Sequence, residues 1–186
     1  MIELKSPIYY AGIGSRTTPA NICDLMQELG KQLALKGCVL RSGGADGADK
    51  SFEKGVDEVE GAKQIFYTNN WQERTSYTSI CRTWNYTPSL WKEAELIVSQ
   101  YHPAWGSLKS YSRKLMTRNG FQVLGENLEK PARFVLCWTP DGAKEKTTRE
   151  SGGTGQAIRI AHSRGIPVYN LAVKEDLELA LKWLKK

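Results

Sequence analysis

The stretch Leu40-Arg41-Ser42-Gly43-Gly44-Ala45-Asp46-Gly47-Ala48-Asp49 decides the reading of this chain. Cys38–Arg41 suits a strand, and the residues from Ala48 to about Glu58 suit a helix. A strand, a glycine-rich turn and a helix in that order aim backbone N–H groups and the positive helix end at one spot, which makes an anion site. The same order recurs on either side. Gly12-Ile13-Gly14-Ser15-Arg16 follows the apolar run Ile8–Ala11. Ser151-Gly152-Gly153-Thr154-Gly155-Gln156 follows the strongly apolar Arg133–Trp138 and a charged loop, Asp141–Arg149. Glycine lets a phosphate approach the backbone closely. Ser15, Ser42 and Thr154 add hydroxyl donors, and Arg16 adds a charged fork.

One such turn is ordinary connection chemistry wherever a strand meets a helix. Three on one sheet edge point to phosphate. They are not Walker A turns, because no GxxxxGK[ST] occurs. They are not the dinucleotide fingerprint either, because Thr17 stands at the third glycine position after Gly12 and Gly14.

The rest of the chain alternates in the same way. Thr18-Pro19 reads as an N-cap and first helical residue. Ile22, Leu25, Met26, Leu29 and Leu33 follow at helical spacing, and Gly37 ends that helix. Further strands are expected at Gln64–Tyr67 and Ile166–Asn170. Further helices are expected at Ser89–Tyr101, Lys109–Leu124, from Gly152–Gly155 to Gly165, and at Glu175–Leu184. This pattern predicts an α/β, three-layer Rossmann-like fold with a mostly parallel sheet and helices on both faces. Ligands in such sheets bind beyond the carboxyl ends of the strands. Residues 1–186 read as one domain. Thr68–Pro88 shows no period and reads as an irregular aromatic and basic insertion. Its Trp71, Tyr77, Trp84 and Tyr86 suit either stacking on a base or a small satellite core.

Composition bounds the classes. The chain has 186 residues, 40% of them hydrophobic, enough for a core. No apolar run approaches the ~18 residues of a membrane span, and Met1–Ser6 lacks the apolar region of a signal peptide. A cytoplasmic protein without a membrane partner is expected. The four cysteines are scattered with no CxxC pair, so neither zinc nor a disulfide framework is expected. No metal or cofactor is called for. Of the net charge of +6, a share of +4 lies between Glu73 and Arg118, where seven Lys/Arg face three Asp/Glu. This basic segment suits an anionic ligand or a solvated surface.

The segments Ala11–Pro19, Leu40–Asp49, Arg118–Gly125 and Phe134–Leu171 together resemble the SMF/DprA–LOG (SLOG) superfamily of Rossmann-like nucleotide-binding proteins. The likeness is to its small stand-alone DprA-like members, often phage-encoded, which would place the protein in a host cytoplasm. It covers nearly the whole chain. It implies a pocket for a nucleotide or a nucleotide-derived signal, such as an NAD- or ADP-ribose-like molecule or a cyclic nucleotide. It also implies possible pairing into a dimer, as relatives often show. In the Lonely-guy branch, phosphoribohydrolases use an Arg on the preceding helix and the Glu of a "PGGxGTxxE" motif. The Arg falls on Arg118, beside Asn119. The Glu falls on Arg159, a cation where that branch has an acid, and Ser151 stands at its Pro.

These departures favour binding over cutting. The site expected from the resemblance and the turns comprises Gly12, Gly14, Ser15, Arg16, Ser42, Gly43, Gly44, Asp46, Asp49, Arg118, Asn119, Thr139, Gly152, Gly153, Thr154, Gly155 and Gln156. Asp46 and Asp49 suit either a ribose or base contact or capping of the helix start. If the protein is an enzyme, Arg118 and Asp141 are its catalytic candidates, Asp141 being the nearest substitute acid. His102 reads as a turn residue and His162 as a surface residue. The first expectation is a sensor or sponge for a nucleotide signal, the second a nucleotide N-glycosidase. The third is a single-stranded DNA-binding recombination mediator.

Overall fold

The computed structural model describes residues 7–68, 81–83 and 87–185, with only the backbone described at 81–83. Among the described residues six parallel strands form one sheet: β1 (Ile8–Gly12), β2 (Cys38–Ser42), β3 (Lys63–Ile65), β4 (Cys81–Thr83), β5 (Phe134–Cys137) and β6 (Val168–Asn170). Their order across the sheet is β4-β3-β2-β1-β5-β6. Among the described residues six α-helices connect or flank them: α1 (Ala20–Leu35), α2 (Ala48–Asp57), α3 (Pro88–Ser99), α4 (Ser110–Leu124), α5 (Thr154–Ser163) and α6 (Lys174–Leu184). This is the three-layer, Rossmann-like α/β fold that the alternation of patterns predicts.

Period-two alternation explains the two faces. Tyr10 on β1 and Leu136 on β5 join the core beneath α1 and α2, with Met26, Leu29 and Phe52. Their neighbours Ala11, Val135 and Cys137 turn the other way, onto Val98 of α3, Val123 of α4 and Ala157, Ile158 and Ala161 of α5. Strands buried on both faces read as continuous apolar runs, which is why β5 stands out in the sequence.

Three local expectations need correction. Thr18 does not cap α1. Its hydroxyl donates to the Ser15 carbonyl at 2.7 Å, and Pro19 occupies the cap position. The Thr-Pro pair that does start a helix is Thr87-Pro88, where the Thr87 hydroxyl accepts from the Leu90 N–H at 3.2 Å. The third strand is shorter and earlier than Gln64–Tyr67. Phe66 still donates its N–H to the Ser42 carbonyl at 2.9 Å, just past the ladder. Finally, the segment read as an irregular insertion contains the edge strand β4, paired in parallel with β3. Trp71, Tyr77, Trp84 and Tyr86 lie outside the described residues.

Candidate functional site

The chain leaves β1 toward β2 on one side of the sheet and returns to β5 on the other. β1 and β5 are therefore neighbours whose connections run to opposite sides. Their carboxyl ends form the crevice where α/β sheets hold ligands. A cleft of about 330 Å³ opens there. The first turn, Ile13–Arg16, lines one wall, and the third turn, Ser151–Thr154, lines the other. Leu115, Met116, Arg118, Asn119 and Gln122 of α4 lie along it, and Ala45 and Asp49 complete it.

The first turn is held by the sheet. Ile13 and Ser15 donate their N–H groups to the carbonyls of Leu136 and Trp138, each at 3.1 Å. Gly14 is required by close approach, since a Cβ there would lie 2.6 Å from that of Ala48. Ser15 turns its hydroxyl to Thr17, at 2.8 Å. Arg16 is exposed on the cleft wall and makes no hydrogen bond or ion pair among the described residues. Gly12 lies inside β1 against Leu40 and Phe52, so it serves packing and stands outside the cleft.

The third turn opens α5. Gly152 has φ of 55°, a left-handed conformation suited to glycine. Gly155 donates back to the Ser151 carbonyl at 3.1 Å, and Gln156 to that of Gly153 at 3.2 Å. The N–H groups of Gly153 and Thr154 have no acceptor among the described residues. They stand at the positive end of a ten-residue helix whose first turn has no acidic residue. Gln156 points away from the cleft. Its amide donates to the Val98 carbonyl at 2.6 Å and accepts from Arg159 at 2.9 Å.

The second turn faces inward. Its Gly43 N–H donates to the Asp49 carboxylate at 3.0 Å. Its Gly44 N–H donates to Glu53 at 3.1 Å, as does the Ser42 hydroxyl at 2.6 Å. Burial pushes the Asp49 carboxyl up, against the pull of Arg118 and of the N–H groups of Gly43, Ala45 and Gly14. Burial also pushes the Glu53 carboxyl up, to about 7. Asp49 is therefore a clamp between the first two turns that also lines the cleft. Asp46 lies outside the cleft, exposed and paired with Lys50. Glu53 escaped the sequence reading. The available signal was its place one helical turn after Asp49, on the same face of α2.

The inner face of α4 closes the floor. Arg118 donates to the Gly43 carbonyl at 2.6 Å, and Asn119 to the Gly153 carbonyl at 2.8 Å. The helix thus ties the second and third turns together. Gln122, one turn after Arg118, is 1% exposed and also lines the cleft. It too went unread in the sequence.

The enzyme candidate Asp141 and the residue that replaces the family's acid, Arg159, both have structural work. Asp141 accepts from the Ser151 hydroxyl at 2.5 Å and the Thr148 hydroxyl at 2.7 Å. Burial opposes its charge, but these bonds, with those from Thr139 and the Thr148 N–H, hold its carboxyl well below the usual carboxylate range. It lies outside the cleft lining. Arg159, at the position of the Lonely-guy glutamate, donates to the carbonyl of Tyr101 and the side chains of Thr147 and Gln156. Thr139 is fully buried and bonded to Asn170, tying the ends of β5 and β6. Among the described residues that line the cleft, Asp49 is the one carboxylate, and no second acid faces it.

No family model and no curated protein matches this chain. Solved structures do. The molybdenum cofactor carrier protein of Chlamydomonas reinhardtii is similar at a TM-score of 0.53 and 16% identity, over 96% of this chain and 84% of that one. A second structure of that carrier gives 0.52 and 17%, over 94% and 82%. DNA processing protein A (DprA) of Streptococcus pneumoniae gives 0.50 and 18%, over 89% of this chain and 50% of that one. At these identities the likeness is one of fold: the chain shares the Rossmann-like fold of these proteins. No helix of the described residues is long and apolar enough to cross a membrane.

Proposed function

We propose that this protein binds a phosphate-bearing, nucleotide-like small molecule in the cleft between β1 and β5 and holds it intact, as a sensor or sponge for a nucleotide-derived signal. The observation that carries this reading is the third turn. Two backbone donors, Gly153 and Thr154, stand at the start of α5 without acceptors among the described residues, and Arg16, likewise without a partner among them, lines the same cleft. Donors at a helix N-terminus beside a cation suit a phosphate. Similar folds carry a molybdenum cofactor in one case and belong to a DNA-processing protein in the other. The small, walled cleft favours a small molecule over a nucleic-acid strand.

Holding is favoured over cutting because, among the described residues, no acid of the cleft is available. Breaking a glycosidic bond builds cationic character on the ribose, which a carboxylate stabilises. Here Asp49 is engaged by three backbone N–H groups, Asp141 by the 139–151 loop, and Arg159 replaces the acid.

Calorimetry with nucleoside mono- and diphosphates, NAD, ADP-ribose and cyclic nucleotides tests the reading. Saturable binding of at least one, with no free base on chromatography after prolonged incubation, is expected. Silence across the panel at millimolar ligand overturns the binding reading. Base release that disappears in Arg118→Ala overturns the preference for holding.

A further inference from the structure

We propose that Gln122 reads the ring of the bound ligand, donating from its carboxamide to a carbonyl oxygen or pyridine-type nitrogen of the heterocycle. This rests on the reading of the cleft as a nucleotide site and adds to it a determinant of specificity.

Three polar side chains stand on the inner face of α4, and two have protein acceptors. Arg118 holds the Gly43 carbonyl and Asn119 holds the Gly153 carbonyl. Gln122 is the most buried of the three, at 1% exposure, yet its Nε2 group has no acceptor among the described residues. A buried amide N–H₂ without a partner is unfavourable and rare. Holding the fold does not require this donor, since a methionine would fill the same volume.

The backbone is shaped to admit it. A Cβ at Gly43 would lie 2.1 Å from Arg118 Nη1 and 2.9 Å from Gln122 Nε2. The absence of that atom lets both side chains lie across the second turn. Arg118 takes the Gly43 carbonyl, the turn's N–H groups are donors themselves, and none of the described residues there accepts from Gln122 Nε2.

The other lining residues place the ring. Ile13, Leu115 and Met116 give the cleft apolar surface for a flat heterocycle, while the anion-holding groups belong to Arg16 and the start of α5. A ligand with its phosphate at α5 and its ring over these apolar residues has ring heteroatoms to offer the floor. A site that donates to a ring acceptor gains that bond only when the ring is present.

The test uses the full chain with AMP, GMP, CMP and UMP, each compared with ribose 5-phosphate, which keeps the phosphate and sugar but has no ring. The wild type should bind at least one nucleotide about tenfold or more tighter than ribose 5-phosphate, one hydrogen bond's worth. Gln122→Met should cut that advantage about tenfold and leave affinity for ribose 5-phosphate unchanged. If Gln122→Met does not fold, Gln122→Asn withdraws the donor by one methylene and should reduce the advantage in the same direction. An advantage undiminished in the folded variant overturns the role of Gln122 and leaves the cleft reading standing. So does a wild type that binds ribose 5-phosphate and every nucleotide equally. Failure of the wild type to bind any of the five overturns the role of Gln122, and the cleft reading falls with it when the diphosphates, NAD, ADP-ribose and cyclic nucleotides are silent too.

Discussion

Ser42-Gly43-Gly44 and Ser151-Gly152-Gly153 carry the same three letters, and each stands in a turn that opens a helix at the carboxyl edge of the sheet. In the first, the donors are taken by the protein. Asp49 and Glu53, one helical turn apart on α2, accept from Gly43, Gly44 and Ser42. In the second, no acid occurs between Ser151 and Ser163, and the Gly153 and Thr154 N–H groups are left for something else. A glycine-rich turn makes a cluster of donors. Whether it faces a ligand or the protein is decided by the next helical turn.

That contrast breaks most visibly at Asp49. Asp49→Ala leaves buried N–H groups without acceptors and strips a charge partner from Arg118. It should lower stability by about 3–5 kcal/mol in urea unfolding, the range for removing one partner of a buried charged pair. Unchanged unfolding would mean that the second turn is not internally clamped.

Glu53 gives the next largest effect, through pH. Its folded-state carboxyl is pushed up to about 7 from the usual 4.5, burial acting first and Asp49 adding to it. The Ser42 hydroxyl, Lys63 and the Gly44 N–H act against the rise. The folded protein thus holds this proton more tightly than the unfolded chain does. Its contribution to stability is complete below the unfolded value and lost as pH rises through about 7, by at most about 3 kcal/mol. Glu53→Gln should flatten that part of the profile between pH 4.5 and 8. Parallel profiles for variant and wild type would exclude Glu53 as the source.

Asp141→Asn should cost about 1–2 kcal/mol, because two hydroxyl bonds to a charged acceptor become bonds to a neutral one. It should leave ligand affinity unchanged. A variant of full stability but altered affinity would return Asp141 to the site.

Arg16→Ala should weaken binding of the tightest nucleotide about tenfold, as expected for a charge-assisted contact. Being exposed, it should move stability by no more than about 0.5 kcal/mol. Equal affinities would remove Arg16 from the phosphate end.

Much of the fold was legible because buried parallel strands and amphipathic helices have distinct periods. Ile8–Ala11, Cys38–Arg41 and Arg133–Trp138 announced strands, and Ile22 to Leu33 announced α1. The edge strand Cys81–Thr83 was not legible. It is three residues long and carries Arg82 at its centre, so it shows neither alternation nor an apolar run. Thr18 was misread because a Thr-Pro pair looks the same whether its hydroxyl caps a helix or, as here, holds the Ser15 carbonyl. The cleft walls at Gly14–Arg16 and Gly153–Thr154 could be found from strand–turn–helix order alone. The inward turn of Ser42–Gly44 was not readable that way, because it depends on which side chains of α2 reach back. Gln122 was missed for a related reason: a glutamine on a helix is neutral by pattern, and only tertiary burial gives it meaning.

The central claim is that a ligand phosphate meets the third turn and not the second. Amide chemical shifts of the ¹⁵N-labelled protein, followed while the tightest-binding nucleotide is added, test it residue by residue. The largest changes should fall on Gly153 and Thr154, with Gly43 and Gly44 nearly still. Movement centred on Gly43 and Gly44, with Gly153 and Thr154 unmoved, would contradict it.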